Sequence, residues 1–336
     1  VIDDLANKAW RRATKEEPEG RELTAFLLPL VGVSGTEGNV QLAATPRQAP
    51  YLDEYKLIES FRAQRLLIDV GDGQVRLIHE AVLRYWTDAA GWITSSRDFL
   101  KTVARMRLEA EGWEASGKPA ISARGKRLTD KVSAAAAILL EHDRAWSFDT
   151  STPTFQDKRL RDYCLALFSK AKDPRAVVTR LEGDNRSYVN IAASYGLDDL
   201  LKRFYKTDPT AFDEIFESSS RASPPLLHAA WSHHDTTQWI ADRVKDPIGR
   251  ARDDWPAIAG PIQRGRRDIF DVLMAAARTK VNGQSLEELL RCPNQTSLLH
   301  HAAWAGFLEF VESLHKDHGF AVNQPEHRGL LPLHYT

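Results

Sequence analysis

The sequence predicts a mainly α-helical protein that contains one small β-hairpin, and three observations support this fold class. Apolar residues recur at helical spacing over much of the chain. Two short runs of strand-forming residues, Leu66 to Val70 and Gln74 to Ile78, flank a Gly-Asp-Gly turn of the kind that closes a hairpin. Beyond about Asp173 the pattern changes to short helix pairs separated by turn residues.

The composition is that of a folded protein without a strong overall charge. Of the 336 residues, 43% are hydrophobic and 27% are charged, and the mean hydropathy is -0.41. The 45 Lys and Arg against 46 Asp and Glu leave a net charge of -1, so no overall basic field attracts nucleic acid or anionic lipid. The two cysteines show no disulfide or zinc-site spacing.

The apolar stretches fall far short of the ~18 residues that a membrane span needs. The chain opens with Val1-Ile2-Asp3-Asp4, which is unlike a secretory signal. We therefore expect a cytoplasmic protein with no membrane partner, and a natural N-terminus that lies before Val1.

Residues 1–115 show helices followed by the hairpin. Two helices are predicted before Pro29, with a short loop or irregular hairpin after them. A helix from Pro50 to Gln64 precedes the predicted hairpin strands, and helical spacing returns from His79 to Trp86. Because helix followed by hairpin is the order of a winged helix, we predict a winged-helix module over 1–115.

Linker helices are predicted for residues 116–172. A long helix from Asp98 to Trp113 ends at Gly117-Lys118-Pro119, and the segments Asp130 to Glu141 and Phe155 to Lys172 follow it with high helix propensity. Thr150 to Pro153 is the expected joint between the two halves.

An internal repeat occupies residues 173–336, and each copy places a pair of small residues inside a short helix. The copies are Asn190 to Gly196, Leu227 to Trp231 and His300 to Gly306, with a weaker copy around Gly265 and a last one that Thr336 cuts off. In such a helix pair small residues allow close approach, glycine turns the chain and histidine hydrogen-bonds neighbouring turns.

The repeat resembles the ankyrin family, whose units carry a G-x-T-P-L-H-x-A-A-x-x-G pattern at a period of ~33 residues. His300 to Gly306 is the best match, whereas His228 is one residue out of phase with its alanines and Pro261 falls inside the weak copy. The resemblance implies an ankyrin-like α-helical repeat solenoid over 173–336, truncated at its C-terminus.

Metal binding and catalysis are not indicated by the motifs. The pairs His233-His234 and His300-His301 belong to no HExxH motif, and no Cys or acidic ligands recur at coordinating intervals. Cys164 has no evident base, and Gly32-Val33-Ser34-Gly35 lacks the G-x-S-x-G spacing. No G-x-x-x-x-G-K-[ST] loop is present, since neither Ser nor Thr follows Lys126. We expect no metal site, no catalytic residue and no enzyme activity of this chain alone.

DNA binding is the standard alternative for a winged helix. The candidate recognition helix, Pro50 to Gln64, carries three acidic residues against Lys56 and Arg62. The helix therefore has a net negative charge, which the phosphate backbone of a nucleic acid repels. Nucleic-acid binding is disfavoured for this reason.

The most specific motif is I-H-E-A-V-L-R-Y-W, from Ile78 to Trp86. The segments that accompany it are Leu57 to Val70, Gly91 to Ile93, Arg97 to Leu100, Leu108 to Trp113 and Ser122 to Leu128. Together they resemble the winged-helix region of bacterial STAND signalling ATPases, over about residues 1–170. The resemblance implies an ATPase core upstream, a winged helix that closes over bound ADP, and a histidine followed by an acidic residue where the wing strand enters a helix.

His79-Glu80 matches that last feature, so His79 is the candidate cofactor-binding residue. ADP or ATP is expected only together with an upstream ATPase domain. A histidine at the start of a helix can donate a hydrogen bond to an approaching phosphate. The alternative is that His79 only caps or packs within the module.

The resemblance further implies a self-inhibited switch, often of bacterial defence, that oligomerises when the repeats detect a trigger. The chain would then be the regulatory and sensor portion of such an ATPase. The alternative from another class is a stand-alone ankyrin-type scaffold whose N-terminal half is a structural cap.

A protein trigger is expected on the repeat face, because stacked helix pairs present a broad surface rather than a deep pocket. Tryptophan and arginine dominate binding energy at interfaces. Trp231 and Trp304 adjoin the small-residue pairs and are expected to be buried. The expected partner-binding residues are therefore Arg264, Arg266, Arg267 and Trp239.

Overall fold

The computed structural model describes residues 1–14, 20–34, 39–46, 52–71, 73–142, 158–179, 185–217, 224–231, 233–244, 246–250, 255–281 and 285–335. The chain is mainly helical with a few short strands, as predicted. It divides into a first unit, Val1–Phe168 with Thr179–Asp184, and a second unit, Ser169–Val178 with Asn185–Thr336. The predicted joint at Thr150 to Pro153 lies outside the described residues.

The first unit combines α-helices with two small antiparallel sheets. Its helices are α1 (Ile2–Thr14), α2 (Gly20–Leu27), α3 (Leu52–Ala63), α4 (Ala81–Tyr85), α5 (Thr87–Ser95), α6 (Arg97–Ala115), α7 (Gly125–His142) and α8 (Lys158–Phe168). Its strands are β1 (Val31–Ser34), β2 (Asn39–Leu42), β3 (Ala44–Pro46), β4 (Leu67–Gly71) and β5 (Gln74–Leu77).

An aromatic cluster holds the helices of the first unit together. The ring centroid of Trp10 lies 5.8 Å from that of Phe26 and 5.9 Å from that of Trp86. Phe61 lies 4.7 Å from Phe26 and 5.3 Å from Trp86. The Trp86 indole also donates a hydrogen bond to Asn7 Oδ1 at 2.9 Å. Since all four rings are buried, their packing joins α1, α2 and α3 to the segment between α4 and α5.

The predicted hairpin is present, and a third strand joins it. β4 pairs with β5 in antiparallel register, with Leu67 opposite Leu77. β3 pairs with the other edge of β5, which gives the strand order β3-β5-β4. Val75 and Leu77 alternate with more exposed residues along β5 and are fully buried, so one face of this sheet belongs to the core. The irregular hairpin expected after α2 is formed by β1 and β2.

The helices α6, α7 and α8 share a polar contact within their apolar packing. Glu109 on α6 accepts hydrogen bonds from Lys131 Nζ on α7 at 2.5 Å and from the Tyr163 hydroxyl on α8 at 2.8 Å. Burial opposes ionisation of Glu109, but these two bonds outweigh it and hold the pKa of the carboxyl below its usual value. Burial and the neighbouring Glu109 carboxylate raise the pKa of Tyr163.

The second unit consists largely of helix pairs. After the paired strands β6 (Val177–Thr179) and β7 (Asn185–Ser187), its helices are α9 (Tyr188–Ser194), α10 (Asp198–Thr207), α11 (Pro209–Glu217), α12 (Pro225–Ala230), α13 (His234–Ala241), α14 (Ala259–Gln263), α15 (Arg267–Arg278), α16 (Leu286–Leu289), α17 (Leu298–Trp304) and α18 (Leu308–Lys316). A 3₁₀ helix, Pro332–Tyr335, follows them.

The pairs stack in sequence order. The leading helices are α9, α12, α14 and α17, and the first three each contact the next one in this series. Each of the four also contacts its own following helix, α10, α13, α15 or α18. Acidic residues begin the following helices, where they favour the positive helix end. These residues are Asp198, Asp235, Asp268 and Glu309.

Turn glycines join the helices of a pair. Gly196 and Gly265 have φ of +62° and +64°, a conformation that side chains with a Cβ rarely adopt. A ring from the next pair covers each of them: a Cβ added at Gly196 would lie within 3 Å of the His233 ring, and one added at Gly265 would lie 3.0 Å from Phe307. Glycine is therefore required at these turns both for backbone conformation and for close approach.

Candidate functional site

His79 lies on the surface of the first unit, between β5 and α4. Its Nδ1 accepts the backbone N–H of Ala81 at 3.0 Å, and its carbonyl accepts the N–H of Val82 at 3.0 Å. His79 therefore caps the start of α4, while its ring remains exposed. Because Nδ1 acts as an acceptor, the neutral ring carries its proton on Nε2, which can donate to a ligand. The capping role and the ligand-binding role are thus compatible.

The predicted arginines gather around the Gly265 turn of the second unit, but they are half-buried and engaged within it. The Arg264 guanidinium lies 4.5 Å from the ring centroid of Trp231. Arg266 Nη2 lies 2.7 Å from Asp268 Oδ2, and this hydrogen bond holds the pKa of the Asp268 carboxyl below its usual value. Arg267 binds Asp271 at 2.8 Å and Ser313 Oγ at 2.9 Å, so its side chain joins α15 to α18.

Two tryptophans that were expected to be buried differ in the structure. Trp231 is 7% exposed and lies against Gly260 of the next leading helix, as expected. Trp304 is 55% exposed, so the prediction of its burial is wrong. Helical phase does not separate the two, because each tryptophan directly follows its alanine pair and lies at the same position after the N-cap residue, Pro224 or Ser297. Trp231 is covered by Gly260 of the next leading helix, and this contact accounts for its burial.

Trp239 belongs to a separate cluster on α13. Its ring contacts those of Tyr205 and Phe212, and the Arg243 guanidinium lies over it. Of these residues, only Trp239 was predicted from the sequence. Trp239 and Arg243 are four residues apart, a spacing that brings side chains together along a helical chain, and this spacing was the signal that could have added the arginine.

The histidines of the repeat have structural contacts. His300 Nδ1 accepts the N–H of Ser297 at 3.1 Å, its Nε2 lies 3.2 Å from the Leu330 carbonyl oxygen, and His334 Nδ1 accepts the N–H of Leu331 at 2.8 Å. The same cap cannot form at His228, because Pro225 has no N–H. Within the described part of the chain, no group of three or more His, Cys, Asp or Glu side chains is arranged to hold a metal ion.

His301 is buried beside this motif. Its ring packs edge-on against Trp255, with 4.6 Å between centroids. Burial, together with the neighbouring His300, lowers the pKa of His301 to about 4. His301 is therefore neutral near pH 7 and serves the packing of the second unit.

Residues 1–120 match the family model of nSTAND1, described as Novel STAND NTPase 1. No curated protein matches the chain. The matched segment contains α1 to α6, the three-stranded sheet and His79, so this part of the chain is similar to a STAND NTPase family. No helix among the described residues is long and apolar enough to cross a membrane.

Proposed function

We propose that this chain is the regulatory and sensor portion of a cytoplasmic STAND-type signalling ATPase. The observation that carries the proposal is the nSTAND1 match over residues 1–120, which coincides with the helices and sheet that place His79 on the surface. In this proposal the first unit stabilises a resting state and the second unit recognises a protein trigger. Activation then leads to assembly of several copies in a bacterial defence response.

The order of elements in the first unit supports a winged-helix module. After α1, α2 and the separate β1-β2 hairpin, the chain forms β3, the helix α3 and the β4-β5 hairpin, and the sheet order is β3-β5-β4. His79 comes directly after this hairpin and can direct its Nε2 proton to a phosphate of ADP held by an upstream ATPase domain.

The strength of such a bond limits what His79 does. A hydrogen bond to a charged group contributes about 1.5 to 3 kcal/mol. Moving a two-state equilibrium from 1:99 to 99:1 takes about 5.5 kcal/mol. His79 therefore biases the resting state, and other contacts between the winged helix and the nucleotide must supply the rest.

The stacked helix pairs of the second unit support an ankyrin-like sensor. Consecutive leading helices contact one another, glycines turn the chain between the helices of three pairs, and Ser297 and His300 form a local cap. Such arrays present an extended surface, which suits a macromolecular trigger. Arg266, Arg267 and Trp239 supply the residue types that commonly dominate binding at protein interfaces.

A nucleotide assay tests the proposal. The full-length protein that contains this chain is purified, denatured and analysed for released nucleotide. We expect ADP to co-purify with it in near-stoichiometric amount, and we expect this chain alone to show no phosphate release from ATP and magnesium, since it has no P-loop. Absence of nucleotide from the full-length protein contradicts the switch.

A second candidate function is a stand-alone ankyrin-type scaffold for protein binding. It is favoured by the second unit, whose helix-pair stack needs no nucleotide to form a binding surface. The same nucleotide assay separates the two functions, because a scaffold carries no ADP.

A further inference from the structure

Three aromatic side chains from different helices meet in the second unit. The ring centroids of Tyr205 on α10, Phe212 on α11 and Trp239 on α13 lie 5.5, 5.6 and 6.1 Å apart in their three pairings. The ring planes meet at 80°, 84° and 88°, so each is nearly perpendicular to the other two. Phe212 is buried, whereas Tyr205 and Trp239 are half-buried. We call this cluster the aromatic corner.

The corner already holds a cation of its own chain. The Arg243 guanidinium lies 4.4 Å from the Trp239 ring centroid, a distance at which a cation is attracted to the ring face. Arg243 Nη1 also donates to the Trp239 carbonyl oxygen at 2.7 Å. The Arg243 side chain is exposed, so its contact with the ring is open to competition.

The charge beside the corner also favours a cation. Asp242 lies next to Arg243, directly after the C-terminal end of α13, and is exposed. Its carboxylate accepts a hydrogen bond from Gln238 at 2.7 Å, which fixes the negative charge on this side of the helix.

A second arginine–tryptophan pair in the same unit differs in accessibility. Arg264 lies over Trp231 at 4.5 Å, but Trp231 is 7% exposed and is enclosed by Gly260 of the next leading helix. That pair is part of the stack. The Trp239 pair lies at the surface, where a side chain from outside can replace the cation.

We propose that Tyr205, Phe212 and Trp239 form a receptor for an arginine side chain of a protein partner, and that Arg243 occupies this receptor until the partner's arginine displaces it. The occupant is inferred from chemistry that the chain itself shows, since a guanidinium already lies on Trp239. The inference rests on the proposed partner binding of the second unit and gives that partner an exposed arginine.

The test measures binding of N-acetyl-arginine N-methylamide by ¹⁹F NMR of the chain labelled with 5-fluorotryptophan. The Trp239 resonance is assigned by its loss in Trp239→Phe, and the Trp231 resonance serves as the internal control. Arg243→Ala removes the cation that occupies the corner. The Trp239 resonance should therefore shift at a ligand concentration roughly two- to fivefold lower than in the wild-type chain, which is the effect expected of one exposed cation–π contact. Arg243→Lys keeps a cation and should behave like the wild type.

The neutral isostere N-acetyl-citrulline N-methylamide should leave the Trp239 resonance unmoved. Equal shifts with the two ligands, or equal midpoints in the wild type and Arg243→Ala, overturn the proposal. Circular dichroism confirms that each variant is folded. The assay needs neither nucleotide nor the trigger, so a negative result does not contradict the proposed switch. In the same way, a negative result in the nucleotide assay does not contradict arginine binding at the aromatic corner.

Discussion

The Tyr163 hydroxyl donates a hydrogen bond to Glu109 at 2.8 Å and so ties α8 to α6 within the first unit. Lys131 adds a second bond to the same carboxylate from α7. A single partly buried carboxylate therefore joins three helices whose other contacts are largely apolar, and it fixes how these helices pack against one another.

Tyr163→Phe should lower the free energy of unfolding by about 1.5 to 3 kcal/mol, since it removes a bond to a charged group. The matched control is Tyr85→Phe, because Tyr85 is 60% exposed. The control should change the stability by less than about 0.5 kcal/mol. Urea unfolding at pH 7 measures both variants, and equal effects would show that the Glu109 bond contributes nothing.

The Glu109 carboxylate should also make the free energy of unfolding depend on pH in the acid range. The pKa of Glu109 is lowered in the folded chain, so its contribution to stability is fully present above the unfolded pKa, near 4.5. This contribution is lost as the pH falls through the lower, folded pKa. Glu109→Gln should remove that part of the pH dependence, which unfolding between pH 5 and pH 3 measures.

Buried His301 should also make the protein less stable on acidification, and its effect should begin at a higher pH than that of Glu109. Its pKa is about 4 in the folded chain against 6.5 unfolded, so the unfolded state binds the proton first as the pH falls below 6.5. From pH 7 to pH 5 this residue alone should cost about 2 kcal/mol of unfolding free energy. His301→Leu, which keeps a side chain of similar size, should reduce the difference between the two pH values. An unchanged difference would show that His301 is not the group responsible.

Gly265 and Gly306 form a matched pair for testing the contact between successive helix pairs. Both have a positive φ, +64° and +73°, so Ala costs each about 1 to 2 kcal/mol in the backbone. A Cβ at Gly265 also meets the Phe307 ring at 3.0 Å, whereas a Cβ at Gly306 meets nothing within 4 Å. Gly265→Ala should therefore lower the stability by about 1 to 3 kcal/mol more than Gly306→Ala. Phe307→Ala should reduce that difference if the ring is its cause.

Local patterns made the helices, the hairpin and the repeat predictable, whereas the contacts of the candidate sites were not. The cap that His300 forms with Ser297 spans three residues, so spacing alone indicates it. Tyr163 and Glu109 are 54 residues apart, and nothing in either segment specifies the pairing. Trp304 shows the same limit on a small scale, because it directly follows an alanine pair, as the buried Trp231 does, and the contact with Gly260 that covers Trp231 is not indicated by either motif.

In the full-length protein, His79→Ala should raise signalling in the absence of trigger. If His79 donates a hydrogen bond to the resting nucleotide, as proposed above, its loss should shift the ratio of resting to active protein by about 10- to 150-fold. His234→Ala is the control, because this exposed histidine lies in the second unit. If folded His79→Ala shows unchanged basal output and unchanged ADP retention, His79 only caps the start of α4 and does not stabilise the resting state.

Reversal of the charges at Arg266 and Arg267 should abolish trigger recognition with little loss of stability. Their side chains are 35% and 39% exposed, and exposed ion pairs contribute about 0 to 1 kcal/mol. Loss of the Arg267 bond to Ser313 adds about 0.5 to 1.5 kcal/mol, so the melting temperature should fall by a few degrees. Arg264 differs, because its guanidinium stacks on buried Trp231, and Arg264→Glu should therefore lower the melting temperature further.

The exchange of Arg266 with Asp268 separates the two effects. Arg266→Asp with Asp268→Arg keeps an ion pair at this turn but moves the positive charge. Recognition should weaken in the exchanged variant while the melting temperature stays close to that of the wild type. Full recognition by both the exchanged variant and the charge-reversal variant would place the trigger on another part of the second unit, because a partner that contacts Arg266 and Arg267 is sensitive to where their charges lie.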